Sequence, residues 1–417
     1  MATTMSDTRF IYADPGLHGQ AGHHFNAAAS MLDELNRRGI PARILAFAEV
    51  DQALRNTLGA SPFFRHNLYW LTDQDPLCGP AFAFHTGAQA MREDLHRLTD
   101  LKPTDIVFVP WALPAQLWGI VQWLGDLPPE RQPLTILNFL HVPEVMIEWR
   151  DNKLSMGVPD YRIEPSAMFL RFSAKHVRSA FAHRIRLGCT FSEGVAVLTA
   201  VLGLPVRPLP APQNAAGSIR RRSAAGPLTI GMIGHQRGYA KGVQHMPELV
   251  RGILQSAPTA RVLIQDCSND LLPEVAAVLV RMSNADKRIS LIRGPLDAAQ
   301  WASMLNGIDL LICPYSQTDY RLSSSGVHNE AIANAIPSVV PSETTLAGMV
   351  KTFGDCGVAF GPGEPASILD ATRHVLANFE RYAAAAYDGA MHWDSVNGPR
   401  RLLDALLHEA QQIHPPG

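Results

Sequence analysis

Short apolar runs alternate with helical patterns along this chain, and the alternation begins again after a polar segment near its middle. A strand that is apolar throughout needs cover on both faces. Helices in the connections supply it, so the pattern points to parallel sheets wound with helices. In the first half the strand-like runs are FIYA (10–13), ARILAF (42–47), 67–71, 106–111, 134–140 and 187–191. Helical spacing lies between them, clearest over 87–98, 114–124, 165–181 and 194–202. The second half runs LTIGMIG, ARVLIQD, ISLIRG, LLICPY, SVVPS and GVAFG in the same rhythm. The expected fold class is therefore α/β, two Rossmann-like doubly wound domains facing each other across a cleft.

The segment PQNAAGSIRRRSAAGP is small, polar and basic, which is the composition of a boundary. It divides the chain into a first domain at 1–210, a linker at 211–226 and a second domain at 227–395. A last helix at 396–417 could pack back on the first domain. The run Arg220, Arg221, Arg222 reads as solvated linker, with membrane-surface or polyanion contact as the lesser option.

Apolar residues make up 47% and charged ones 18%, the composition of a packed globular protein. A net charge of −2 gives no support to general nucleic-acid binding. Cys78, Cys189, Cys267, Cys313 and Cys356 are dispersed without a C-x-x-C pair. That fits a reducing compartment and argues against a disulfide framework or structural zinc. The start, MATTMSDTRF, has no apolar leader, and no apolar run reaches the roughly eighteen residues that a membrane span needs. A cytoplasmic protein is expected, with no transmembrane segment, peripheral membrane contact left open and the oligomeric state unassigned.

Ligands of doubly wound sheets bind beyond the carboxyl ends of the strands, so the polar groups there are the candidate site. The richest stretch is 310–345. Leu310–Cys313 is an apolar run stopped by Pro314, and Ser323, Ser324 and Ser325 can cap a helix whose stripe is Val327, Ala331, Ile332, Ala335 and Ile336. Such a helix start, with Ser324, Ser325 and Gly326 in it, suits a phosphate. Glu330 follows Gly326 by one turn and can accept bonds from sugar hydroxyls beside that phosphate. The loop GHQRGYAKG carries Arg237 and Lys241. Two cations near a helix terminus are what a departing diphosphate requires, since its charge grows as the bond breaks. The turn Arg293, Gly294, Pro295, Leu296 can stack on a nucleobase.

In the first half, Gly16, Gly19 and Gly22 precede His23 and His24. This G-x-x-G-x-x-G spacing differs from the dinucleotide fingerprint, and ARILAF ends without an acidic residue, so a dehydrogenase is disfavoured. A glycine-rich turn still admits a substrate close to the backbone. His141, after the 134–140 run, can hydrogen-bond a sugar hydroxyl or steady charge near a reacting carbon. Glu144 and Glu148 can serve as acids or bases beside it. P-loop, nucleophile-elbow and H-E-x-x-H motifs are lacking in the sequence.

Over about residues 228–362 the second half resembles the donor-binding domain of GT-B glycosyltransferases, most of all the retaining group called family 4. The segments GMIGHQRGYAKG and ISLIRGPLDAAQWASMLNGIDLLICPYS and the helix holding Glu330 carry the likeness. The first half resembles the acceptor domain more loosely, through the glycine loop, His141 and FSEGVAVLTAVLGLPVRPLPAP. The resemblance implies that Arg237 and Lys241 hold the donor diphosphate, at a spacing one residue shorter than usual. It implies that Glu330 grips the ribose and that Arg293, Gly294 and Leu296 belong to the donor side. Ser324, Ser325 and Gly326 would meet the diphosphate, His141 the transferred sugar, and Gly19, Gly22 and His23 the acceptor. Leu322 stands where the family commonly has a second Glu, and Thr344-Thr345 replace its Gly-Gly.

The activity so implied is sugar transfer from a nucleotide-diphosphate sugar to a glycan, lipid-linked sugar, protein or small molecule, with retention, as a hexosyltransferase-like enzyme performs it. The partners are then the nucleotide sugar, as co-substrate, and the acceptor. No further cofactor and no metal ion is expected, because protein cations and a helix terminus supply the positive charge. A nucleotide-sugar epimerase of the same fold and a non-catalytic nucleotide-sugar-binding protein are the alternatives.

Overall fold

A computed structural model describes residues 8–413 other than 21, 72–74, 76–77, 144–145, 151–152, 158–164, 217–218, 237, 268, 270 and 362, with backbone alone over 146–150 and 153–157. The chain forms two compact units. One comprises Met1–Gln20, His24–Pro210 and Pro399–Gly417, the other Ala21–His23 and Ala211–Gly398.

The strands of the first unit are β1 (Phe10–Ala13), β2 (Ala42–Phe47), β3 (Ser61–Phe64), β4 (Ile106–Val109), β5 (Leu134–Phe139), β6 (Met146–Arg150), β7 (Lys153–Gly157), β8 (Ile185–Cys189) and β9 (Val206–Pro208). Seven of them make a sheet in the order β3-β2-β1-β4-β5-β8-β9, and β6 and β7 pair separately as an antiparallel hairpin. The pairings in the large sheet are parallel, with Phe10 opposite Ala42 on one side and Ile106 on the other. Buried on both faces, β1 and β4 read as unbroken apolar runs for the reason the sequence suggested.

The second unit repeats the scheme with β10 (Thr229–Met232), β11 (Arg261–Asp266), β12 (Ile289–Arg293), β13 (Leu310–Ile312), β14 (Ser338–Pro341) and β15 (Gly357–Phe360). Their order is β12-β11-β10-β13-β14-β15, again parallel. Each unit is thus a doubly wound, Rossmann-like α/β domain.

The final helix, Gly398–Ile413, belongs from Pro399 onward to the first unit. Leu402, Leu403, Leu406 and Leu407 lie in one core cluster with Phe10, Leu35 and Ile44. Arg38 reaches Asp404 at 2.7 Å and Arg186 reaches Glu409 at 2.9 Å, fixing the helix in register.

Three local expectations need correction. The run 67–71 is no strand, and the third strand is instead Ser61–Phe64. The Asn67 carboxamide accepts the Tyr69 N–H at 3.1 Å, a side-chain turn that competes with strand pairing. Pro62 is tolerated in β3 because β3 is an edge strand. The helical pattern over 165–181 is an α-helix only over Pro165–His176, and Val177–Phe181 forms a π-helical turn. The basic run is not simply solvated. Arg220 pairs with Asp309 at 2.6 Å, and Arg222 is only 2% exposed.

Candidate functional site

In the second sheet the winding goes outward from β10 through β11 to β12, then returns to the other side of β10 as β13. The reversal leaves a crevice beyond the carboxyl ends of β10 and β13, because the connections there turn to opposite faces. The loops that leave these two strands carry the Lys241 and serine motifs.

Gly234, two residues beyond β10, has φ of 100°, a conformation that disfavours any side chain. A Cβ there would sit 2.8 Å from Val327 of the Gly326–Ala333 helix, so the glycine also lets loop and helix touch. Farther on, Gly242 has φ of 66°, and a Cβ on it would fall 1.8 Å from the Pro314 carbonyl oxygen. The Ser316 N–H donates to the Ala240 carbonyl at 3.0 Å. The two loops are therefore pressed together.

That apposition holds Lys241 in place. Its ammonium lies 3.8 Å from the centroid of the Tyr315 ring and 4.8 Å from that of Tyr320. Burial, with Cys313 and Tyr320 nearby, pushes the Tyr315 phenol well above its ordinary pKa, and the neighbouring Ser325 side chain opposes the shift. One buried phenol thus links the lysine loop to the capped helix. Arg237 lies outside the described residues.

Of the three serines, Ser325 is the cap. Its hydroxyl accepts the His328 N–H at 3.3 Å. Ser324 is half-buried and accepts the Asn329 amide at 3.3 Å. Ser323 contributes its carbonyl, which takes the Thr345 hydroxyl at 2.6 Å. Gly326 opens the helix, where the first-turn N–H groups gather with the positive end of the helix dipole. Glu330, one turn along, is 7% exposed and accepts the indole N–H of Trp301. A solvated Glu is therefore excluded, and its carboxylate is held by a side chain from the Ala298–Gly307 helix. Leu322 is half-buried.

Arg293 is exposed at the end of β12. Gly294 has φ of 90°, donates its N–H to the Asp266 carbonyl at 2.8 Å and accepts from the Gln265 amide at 3.3 Å. Leu296 is partly buried against the cluster that contains Leu311 and Ile332. Gln265 is the residue that sequence reasoning missed. Fully buried, it accepts the Gly234 N–H at 2.7 Å through its side chain and the Gln236 amide at 2.9 Å through its carbonyl. It ties the ends of β10, β11 and β12 together. A glutamine closing the apolar run ARVLIQD was the available signal, since a buried amide must find partners.

The first unit has its own reversal, between β1 and β4. Gly19 lies in the loop after β1, half-buried, while Gly22 and His23 group with the second unit. His141 is exposed just beyond β5, Glu144 lies outside the described residues, and only the backbone of Glu148 is described. What the structure adds is Asp14 at the end of β1. Completely buried, it accepts His24 Nδ1 at 2.7 Å and the Gly16 N–H at 2.9 Å. The His24 ring also stands edge-on to Tyr69 and inclined to Trp111, at centroid separations of 5.2 and 5.5 Å. Gly16 has no room for a side chain, because a Cβ would lie 2.6 Å from both His24 and Tyr69. The glycine loop is thus a fitted frame around an imidazole. Among the described residues, no three His, Cys, Asp or Glu side chains are placed to hold a metal ion.

No protein-family model and no curated protein matches the chain. Solved structures do match along its whole length. Sucrose-phosphate synthase from Thermosynechococcus elongatus is 12% identical, with TM-score 0.60 and 98% of each chain covered. Anabaena Alr3699/HepE in complex with UDP is 12% identical with TM-score 0.59, covering 97% of this chain and 98% of that one. A putative UDP-N-acetylglucosamine 2-epimerase from Listeria monocytogenes is 13% identical with TM-score 0.55, covering 97% and 96%. At these identities the likeness establishes the fold, the two-domain α/β architecture of GT-B proteins.

Proposed function

We propose that this chain is a glycosyltransferase that moves a sugar from a nucleotide-diphosphate donor, bound by the second unit, to an acceptor bound by the first. The observation that carries the reading is the meeting of the Lys241 loop with the Ser325-capped helix, through Tyr315, at the switch point of the second sheet. An ammonium and a helix terminus on one crevice offset the charge that gathers on a leaving diphosphate. Arg237 is the second cation in this reading. Glu330, steadied by Trp301, receives the ribose hydroxyls, and Arg293, Gly294 and Leu296 border the base. Gly19, Gly22, His23 and His141 serve the acceptor and the transferred sugar. Transfer needs no metal here, and activity should survive chelation. The protein is proposed to work in the cytoplasm, on a hexose or a similar sugar.

Resemblance to the retaining group favours retention. The Asp14–His24 pair favours the opposite outcome. A carboxylate on Nδ1 holds the imidazole in one orientation, and a ring so held can take the proton of an acceptor hydroxyl during direct displacement. The anomeric configuration of the product decides between them.

A second reading, epimerisation of a nucleotide sugar, is favoured by the Listeria likeness. It needs acid and base carboxylates around the sugar, and Leu322 offers one fewer. Incubation with radiolabelled nucleotide sugars, beginning with uridine diphosphate sugars because HepE is solved with UDP and glucose, separates the readings. Transfer or slow donor hydrolysis supports the first and isomerised donor the second. Binding without turnover sinks both and leaves a nucleotide-sugar-binding protein.

A further inference from the structure

The Pro165–His176 helix of the first unit buries Leu170, Ser173 and Ala174 and turns Met168 and Phe172 outward, 61% and 45% exposed. Phe172 packs against Trp118 at 4.9 Å between centroids, and the imidazole of His176 meets both rings. Phe169 stacks on Phe84 at 4.2 Å, joining this face to the Gly79–Leu95 helix, where Phe82 is 57% exposed. Exposed large apolar side chains gathered on one face signal a surface that meets something other than water.

Among the described residues of this helix and the turn after it, the charged side chains are basic. Arg171, Lys175 and Arg178 are exposed along it. The sequence has no acidic residue over 165–192, and in the neighbouring helices the acidic residues stand near the C-terminal ends, Glu93 and Asp94 in one and Asp126, paired with Arg92, in the other. Arg171 donates to the Val201 carbonyl at 3.2 Å and Arg178 to the Gly203 carbonyl at 2.6 Å, which fixes both at the end of the Ser192–Leu202 helix.

We propose that this face docks on an anionic lipid bilayer, with Met168, Phe172 and Trp118 entering the headgroup boundary and Lys175 and its neighbouring arginines meeting lipid phosphates. Apolar rings beside fixed cations match that boundary, because acyl chains take the first and headgroups the second. A second copy of this chain on the same face would set like charges against each other, which opposes a symmetric dimer. A soluble polyanion gives no return for exposing Met168 and Phe172. The proposal does not depend on the sugar-transfer reading.

Co-sedimentation of the full chain with phosphatidylcholine vesicles, with and without phosphatidylglycerol, tests it. Wild-type protein should pellet with the anionic vesicles and stay in solution with phosphatidylcholine alone. Replacing both Met168 and Phe172 by Ser should lower the bound fraction severalfold, as should Lys175→Glu, while thermal unfolding and far-UV circular dichroism stay unchanged. The proposal is overturned if wild type ignores anionic vesicles or if the variants bind as wild type does. Binding that high salt abolishes and the serine variant retains would mark a polyanion site and also overturn it. So would a dimer in gel filtration that the serine variant dissolves, without vesicle binding.

Discussion

Lys241 is held over the ring of Tyr315, 3.8 Å from ammonium to centroid, and the buried phenol of that ring lies beside the Ser325 side chain. The lysine is therefore positioned before any ligand arrives. A preset cation costs little reorganisation when charge develops beside it. Lys241→Ala should cut donor turnover by about a hundredfold, the usual loss for one preorganised electrostatic partner. The melting temperature should move little, because Lys241 is half-buried. Tyr315→Leu should act more through the donor KM, since it loosens the lysine without removing its charge. Initial rates and thermal unfolding of both variants check this, and full activity in Lys241→Ala would misplace the site.

Glu330 and Trp301 make a second separable pair. Glu330→Gln keeps an oxygen for the indole N–H, so stability should hold while nucleotide affinity falls. Trp301→Phe removes the indole N–H donor from a buried carboxylate and should cost about 1–3 kcal/mol of stability. Urea unfolding and nucleotide titration of the two proteins distinguish holding from binding. Equal affinity in Glu330→Gln and wild type would remove Glu330 from the ribose role.

Arg222 is a structural centre that the nucleotide does not explain. Its guanidinium donates to the carbonyls of Leu305, Ile308, Asn334 and Ala335, at the ends of the Ala298–Gly307 and Gly326–Ala333 helices. Burial pushes its pKa down to about 10, yet it remains charged at neutral pH. Arg222→Ala would leave several buried carbonyls unpaired and should destabilise the second unit by about 2–4 kcal/mol. Arg222→Lys should recover only part, since one ammonium cannot reproduce the planar fork. Denaturant midpoints check the order wild type, Lys, Ala, and a Lys variant as stable as wild type would contradict it.

How much of this was legible in the sequence differs by kind of interaction. Unbroken runs such as FIYA and LLI announced buried parallel strands, because cover on both faces leaves its mark on every residue. The Ser325 cap and the Lys241 loop were readable for the same reason, their chemistry being local. Arg222 was not. Three arginines among Ala, Gly and Ser look solvated, and the carbonyls that bury one of them lie more than eighty residues away. Asp14 and His24 were hidden similarly, since a single Asp after a strand says nothing of the imidazole that folds onto it. Glu330 was named for its place on a helix, but its burial depends on Trp301 from another one.

His328, on the capped helix, supplies a pH-dependent test of that packing. It is 1% exposed, its Nε2 lies 3.1 Å from the Ser338 hydroxyl, and its Nδ1 has no partner among the described residues. Burial pushes its pKa down to about 3 from the ordinary 6.5. In the unfolded chain the ring takes a proton near pH 6.5, whereas in the folded chain it stays neutral until about pH 3. Between those values the unfolded state binds more protons, so stability is complete above the upper value and declines as pH falls through the window. The slope for one such group approaches about 1.4 kcal/mol per pH unit. His328→Gln removes the titration and leaves an amide able to meet Ser338. Its urea midpoint should therefore fall less steeply than that of the wild type between pH 6 and pH 4. Parallel curves for the two proteins would show that the imidazole reaches solvent, and the packing of the helix start described above would then be wrong.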